Sequence, residues 1–412
     1  MMKFVPRNIE EKLLDAISYR PVVLLNGARQ TGKSTLVKFL SGNSSSQYYT
    51  FDDFTLLSSV NNDPEGFISG LQGPVIIDEV QRIPKLFIAI KRQVDRNREP
   101  GQFLLTGSAN ILLLPNLSES LTGRMEIQTL WPFSNDEIHR TKSLFIDHLF
   151  SGEISFVINK ELDREGLIEK ILTGGYPEVQ TLSSEKRKQR WFRSYVTTII
   201  QREIQDLSKI EGLFEIPRLL SILASQSASI LNISNVNRKT GISNTTMKRY
   251  LSLLQAVFLI QLVPAWYRNV GKRLIKSPKL YINDTGLLTY LLGLDRHQLM
   301  NYPDNLGPIL ENYVMNELVK QSTWCDTEPK LFYYRTARGK EVDFVLENNQ
   351  GKIVGIEVKS SNSVDANDFR GLKDLSETAG DQFVNGVVLY LGENIIPFGK
   401  KYFALPISAL WK

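Results

Sequence analysis

Cysteine is almost missing from this chain: Cys325 stands alone in 412 residues. An internal disulfide and a cysteine-rich zinc site are both excluded, and a reducing cytoplasm is the expected compartment. Histidine is scarce too, and His139, His148 and His297 lie too far apart in the sequence to suggest a metal site. No apolar run is long enough for a membrane. The longest, Leu251 to Val263, covers thirteen residues and is broken by Ser252, Gln255 and Gln261, whereas a spanning helix needs about 20. The first residues, Met1 to Arg7, lead into acids rather than an apolar core, so no secretory signal is expected. Neither sign of charge dominates: 49 Lys and Arg against 44 Asp and Glu leave a net +5, which permits nucleic acid without demanding it. No internal repeat is visible. What remains is ordinary globular composition, 42% hydrophobic and 23% charged, with length for about two or three cores.

The most specific feature present is the run Gly27-Ala28-Arg29-Gln30-Thr31-Gly32-Lys33-Ser34-Thr35, directly after the apolar Pro21 to Asn26. It fits the phosphate-binding loop at every fixed position and predicts a nucleoside triphosphate as the ligand. Glycines let successive backbone N–H groups turn toward a phosphate, and the following helix, Ser34 to Leu40, offers its positive end to the same anion. Lys33 reaches the β- and γ-phosphates, and Ser34 offers a hydroxyl to Mg²⁺. A second apolar strand, Gly73 to Ile77, ends in Asp78-Glu79. Asp78 suits a Mg²⁺ held through water, and Glu79, just beyond the metal ligand, suits the residue that polarises the attacking water. Another candidate strand, Gln47 to Phe51, lies between these two in the chain, a layout of P-loop ATPases that carry a catalytic glutamate. A further strand begins at Gln102 and ends in Thr106-Gly107-Ser108-Ala109-Asn110; Ser108 is the γ-phosphate candidate in a set whose ranking the sequence leaves open. Ser118 to Gly123 then ends a helical run at Arg124, ahead of the strand-like Met125 to Leu130.

These motifs, with Trp131-Pro132-Phe133, Gly174-Gly175-Tyr176-Pro177-Glu178, Lys279 to Leu287 and Glu341 to Val345, resemble the bacterial and archaeal AAA-type ATPases whose C-terminal half is the DUF4143 domain. The resemblance covers nearly the whole chain. It implies ATP binding and hydrolysis, and a C-terminal half related to restriction-endonuclease folds. It also makes Arg124 a candidate arginine finger, the residue such ATPases present to a neighbouring subunit in a homo-oligomer.

The C-terminal half carries its own signals. Asn235 to Thr240, the turn Gly241-Ile242-Ser243 and Asn244 to Phe258 have helix-turn-helix spacing, and Leu259 to Trp266 with Lys279 to Ile282 supply the strands of a wing. Asn244, Thr245, Lys248 and Arg249 form the face expected to lie in a DNA groove. Two basic groups add to this: Lys186-Arg187-Lys188-Gln189-Arg190-Trp191-Phe192-Arg193, and Arg268, Lys272, Arg273, Lys276 and Lys279. Near the C-terminus, Glu311 opens an amphipathic helix, Asp343 sits in the strand Glu341 to Leu346, and Glu357 and Lys359 sit in the strand Ile353 to Lys359. This is the order of the PD-(D/E)xK nuclease fold, although Val342 replaces the proline usual before the first aspartate. Residues two apart share a strand face, so Glu357 and Lys359 point to one side. Glu311, Asp343 and Glu357 are thereby candidate ligands for a second divalent ion, Mg²⁺ or Mn²⁺, with Lys359 beside the water.

The fold class expected is α/β: an AAA-type P-loop ATPase with a parallel sheet, then a helical and winged-helix region, then a restriction-endonuclease-like α/β domain. The boundaries expected are 1–140 for the ATPase, 141–212 for a helical connector, 213–300 for the winged helix and 301–412 for the nuclease-like sheet, with Asn301 to Pro308 as a linker. The function expected is an ATPase coupling nucleotide state to a DNA-binding or DNA-processing half. The alternative is an ATP-driven regulatory switch whose C-terminal half binds a protein partner and cuts nothing.

Overall fold

A computed structural model gives the fold and describes residues 4–42, 46–110, 123–152, 163–205 and 213–411. The helical run leading to Arg124 therefore lies outside the described residues up to Thr122.

The N-terminal sheet is parallel, in the order β2-β3-β4-β1-β5. Its strands are β1 (Val22–Asn26), β2 (Gln47–Thr50), β3 (Val75–Asp78), β4 (Phe103–Gly107) and β5 (Met125–Thr129). Its central strands are apolar because helices cover both faces. Successive side chains alternate between two cores: Val22, Leu24, Ile77 and Leu105 pack on one side, and Val23, Leu25, Ile76 and Leu104 on the other. The strand inserted in space between the loop-bearing β1 and the acid-bearing β3 is β4, and β2, which lies between them in the chain, takes the sheet edge. Half-buried residues in β2 suit that edge position.

The middle region is helical. Glu185–Thr198 continues into a six-residue π-helical turn, Ile199–Ile204. Later, Ile233–Thr240 and Asn244–Ala256 form a helix pair, with Gly241 in the left-handed region at φ 77° and Ser243 accepting from the Thr246 N–H. The strands β6 (Ser229–Ile230), β7 (Ile260–Val263) and β8 (Lys279–Ile282) pair antiparallel in the order β6-β8-β7. The basic stretch 186–193 divides by its helical periodicity. Phe192 is buried, Trp191 stacks on Tyr195 at 5.0 Å, and Lys188 is buried with Glu169 and Thr173, so only Lys186, Arg187, Arg190 and Arg193 are exposed cations.

The stretch expected to be a linker, 301–308, is instead helical: Pro303 is the first residue of a 19-residue helix, Pro303–Gln321. Proline is tolerated at that position, where its missing N–H has no intrahelical partner to lose. Burial of Leu306, Ile309 and Leu310 outweighs the break at Pro308. This helix packs on a mixed sheet of β9 (Lys330–Arg335), β10 (Glu341–Glu347), β11 (Ile353–Val358), β12 (Phe383–Tyr390), β13 (Ile396–Pro397) and β14 (Tyr402–Pro406), in the order β13-β14-β12-β11-β10-β9. One hydrophobic core runs from the connector through the helix pair into this sheet, joining Ile171, Leu254, Leu288, Val314 and Ile356.

Three short motifs meet where the halves join. The Phe133 N–H donates to the Gly175 carbonyl at 2.7 Å, and the Gly175 N–H donates to Asp284 Oδ2 at 2.6 Å. A Cβ on Gly175 would lie 2.3 Å from the Phe133 oxygen, so only glycine permits this approach.

Candidate functional site

The loop after β1 is shaped by backbone conformation. Gly27 has φ 147°, and a Cβ there would meet the Leu130 oxygen at 2.2 Å; Gly32, at φ 97°, begins the helix Lys33–Ser41. Thr31 Oγ1 donates to the Ala28 carbonyl at 3.0 Å and closes the turn. Lys33 Nζ reaches back over the loop to the carbonyls of Gly27 and Ala28, at 2.9 and 2.8 Å. Burial pulls its pKa down, and the fields of Glu79 and Asp78 only partly oppose this. Thr35, two residues on, is exposed.

The acids at the end of β3 sit beside this loop because β3, β4 and β1 are neighbours. Ser34 Oγ donates to Asp78 Oδ1 at 3.1 Å, Thr106 Oγ1 donates to the same oxygen, and the Tyr48 hydroxyl donates to Asp78 Oδ2 at 2.8 Å. Ser34 and Asp78 together offer hard oxygens of the kind Mg²⁺ takes, and they fit that ion. Glu79 sits at φ 61°, a left-handed conformation costly for a side-chain-bearing residue, and its N–H is held by Thr106 Oγ1 at 3.1 Å. Burial pushes the Glu79 carboxyl up, against the pull of Lys33. Gln81 Nε2 donates both to Glu79 Oε2 at 2.5 Å and to Ser108 Oγ at 2.8 Å. Ser108 Oγ in turn donates to Glu203 Oε2 at 2.6 Å, and the Arg29 guanidinium pairs with the other oxygen of Glu203.

Gly27 to Ser34, Asp78, Glu79 and Ser108 are thus gathered in one pocket. Arg124 is not. In β5, Met125 lies opposite Val22 and Thr129 opposite Asn26, so Arg124 stands at the far end of the sheet from the loop, about 20 Å away at about 3.3 Å per residue. It pairs with Asp95 at 2.5 Å. Arg124 therefore does not join the residues around the loop in this chain.

Several pocket residues escape a sequence reading. Arg7 Nη1 donates to the Thr31 carbonyl at 2.8 Å, and its Nε pairs with Glu137 at 2.9 Å. Gln81 is visible only as the last letter of Asp78-Glu79-Val80-Gln81. Tyr48 and Glu203 have no local signal.

The second constellation forms as expected on one side of the C-terminal sheet, but not as a metal site. Lys279, counted above with the basic group, is buried on β8, and its ammonium takes the centre. It lies 3.0 Å from Glu311, 2.6 Å from Glu341 and 3.2 Å from Asp343. Asp343 Oδ2 accepts from the Val358 N–H at 2.9 Å, Tyr281 donates to Glu311 at 2.6 Å, and Lys359 Nζ holds Glu357 Oε1 at 2.9 Å. Among the described residues no group of three or more His, Cys, Asp or Glu side chains is arranged to hold a metal ion. The donor set Glu311, Asp343 and Glu357 does not fit a second divalent ion, because the Lys279 ammonium already takes the place between Glu311 and Asp343, and Glu357 is held by Lys359.

Comparison with known proteins finds three family models along the chain. A family model described as an AAA domain matches residues 19–139, a domain of unknown function (DUF8612) matches 164–298, and a domain of unknown function (DUF4143) matches 306–410. An uncharacterized protein of Mycobacterium tuberculosis is 32% identical over 98% of this chain and 84% of its own. One of Methanocaldococcus jannaschii is 25% identical over 86% of this chain and 77% of its own. Among solved structures, a Walker-type ATPase of Pyrococcus abyssi covers 69% of this chain and 94% of its own at 15% identity, with a TM-score of 0.43.

Proposed function

We propose, for a chain that belongs to the family of AAA-type P-loop ATPases carrying a DUF4143 domain, an Mg²⁺-dependent ATPase whose cycle governs a C-terminal half that binds DNA without cutting it. In the first pocket Gly27 to Thr35 bind the phosphates and Lys33 swings from the loop carbonyls to the β- and γ-oxygens. Ser34 and Asp78 would hold Mg²⁺, which would supply charge neutralisation. Glu79, made more basic by burial, takes the proton of the attacking water, and Ser108 contacts the γ-phosphate.

The observation that carries the non-cleaving reading is Lys279 among Glu311, Glu341 and Asp343. A metal-dependent nuclease needs those carboxylates for a cation that can also touch phosphate, and this one is covalently tied to β8. DNA binding is supported by the helix pair Ile233–Thr240 and Asn244–Ala256, packed by the three-stranded sheet as a winged helix would be, and by the exposed Asn244, Thr245, Lys248 and Arg249. It is further supported by a groove of about 700 Å³ between the segment 267–277 and β9, lined by Arg268, Lys272, Lys276, Arg335, Tyr267 and Tyr333. Cations beside aromatic rings suit a phosphate backbone with its bases.

The test measures duplex affinity across salt, together with nicking of supercoiled DNA in Mg²⁺ or Mn²⁺. Salt-dependent binding with no nicking is expected. Nicking that disappears in Asp343→Ala would overturn the non-cleaving reading, and no affinity even at low salt would favour the switch that acts on a protein partner.

A further inference from the structure

Glu203 is a carboxylate from outside the AAA domain that lies inside its nucleotide pocket. It sits in the π-helical turn Ile199–Ile204, within the stretch that matches DUF8612, and is 8% exposed. π-Helical turns widen the helix by one residue and recur at functional positions. Ile199, Ile200 and Ile204 of the same turn are buried, which anchors the segment and aims Glu203 at the loop.

Its two oxygens are taken by two donors from the AAA side, the Arg29 guanidinium from the phosphate-binding loop and the Ser108 hydroxyl from the end of β4. Ser108 is linked through Gln81 to Glu79, so Glu203 lies two side chains from the candidate base. Its charge is felt at both Lys33 and Glu79. These are the groups that surround the terminal phosphate in the proposed ATP site. A γ-phosphate carries about two negative charges and only acceptor oxygens, and Glu203 is likewise an acceptor and an anion. The two groups need the same donors and repel each other.

We propose that Glu203 is the residue by which this pocket tells ATP from ADP: the γ-phosphate takes Arg29 and Ser108 away from Glu203, and the turn Ile199–Ile204 leaves the pocket. ADP, which ends at the β-phosphate, leaves both contacts in place. The helical region thereby receives a signal that depends on one phosphate group. This inference rests on the ATPase reading above and adds to it a residue that matches no nucleotide motif.

The experiment uses the full chain with Mg²⁺ and fluorescent ATP and ADP analogues, in a Glu79→Gln background that prevents turnover. Glu203→Gln keeps the shape and the Ser108 contact but removes the charge. ATP affinity is expected to rise about tenfold, worth ~1.4 kcal/mol, with ADP affinity within about twofold of the parent. An unchanged or weaker ATP affinity with ADP binding intact would overturn the role of Glu203 and leave the ATPase reading standing. Failure of the parent to bind either nucleotide would overturn the ATPase reading itself. A second measurement needs no substitution at Glu203: trypsin should cleave after the exposed Arg202 faster with a non-hydrolysable ATP analogue than with ADP. Equal rates would overturn release of the turn.

Discussion

Two buried lysines set the two pockets apart. Lys33 is held by the neutral carbonyls of Gly27 and Ala28, and burial lowers its pKa. Lys279 meets the same burial penalty, but Asp343, Glu311 and Glu341 outweigh it and raise its pKa well above the ordinary value. Among the described residues the first cation has no ion-paired partner, and it gains most from a phosphate. The second is satisfied by its own chain. Acids beside a lysine therefore do not by themselves announce a catalytic centre; what counts is whether the charge is left over for a ligand.

If only the first pocket does chemistry, Glu79→Gln should lower ATP turnover by about 10²–10⁴-fold, the usual worth of a positioned base, with ATP still bound. Asp343→Ala should leave that turnover unchanged. Phosphate release measured on both variants checks this, and a comparable loss in Asp343→Ala would mean that the pockets are coupled.

The stabilities should run the other way. Lys279→Met strands three carboxylates around an apolar side chain and should cost about 3–5 kcal/mol, as breaking a buried pair does. Lys33→Met removes a cation whose charged form the fold disfavours, so it should change stability by less than about 1 kcal/mol or raise it. Urea denaturation followed by tryptophan fluorescence separates the two, and equal losses would erase the distinction drawn between them.

Much of the first pocket was legible in the sequence because its parts are local. The loop needs glycines at fixed spacing, and Asp78-Glu79 ends a strand that reads as apolar throughout. Glu203 was not legible: it is 174 residues from Arg29, and nothing in Gln201-Arg202-Glu203 marks it. The second pocket was half legible. Alternation placed Glu357 and Lys359 on one face and Asp343 on the neighbouring strand, and β10 does pair with β11. Lys279 read as one more exposed base because its partners lie 32 and 64 residues away. The supposed linker at 301–308 failed for a related reason, since burial of Leu306 and Leu310 is a tertiary fact that Pro and Gly do not reveal.

The last expected effect concerns pH and probes the residual strain in the second pocket. Glu311 and Glu357 are both raised to about 8, by burial first and by Asp343 second, with Lys279 and Lys359 respectively only partly offsetting this. Glu357 Oε2 is buried and, among the described residues, accepts no hydrogen bond. Between the usual carboxylate value of 4.5 and about 8 the folded chain holds protons that the unfolded chain has released. Stability in this half should therefore fall as pH rises through that window, by at most about 1.4 kcal/mol per pH unit for each proton. Glu357→Gln fixes the neutral state and should flatten the slope, with its largest gain over the parent at the upper end of the window. Urea midpoints taken at about pH 5, 6, 7 and 8 would show this. Midpoints that climb through the window, or a slope untouched by Glu357→Gln, would mean that Lys359 keeps the carboxylate charged and that both lysines of this pocket are fully matched by their acids.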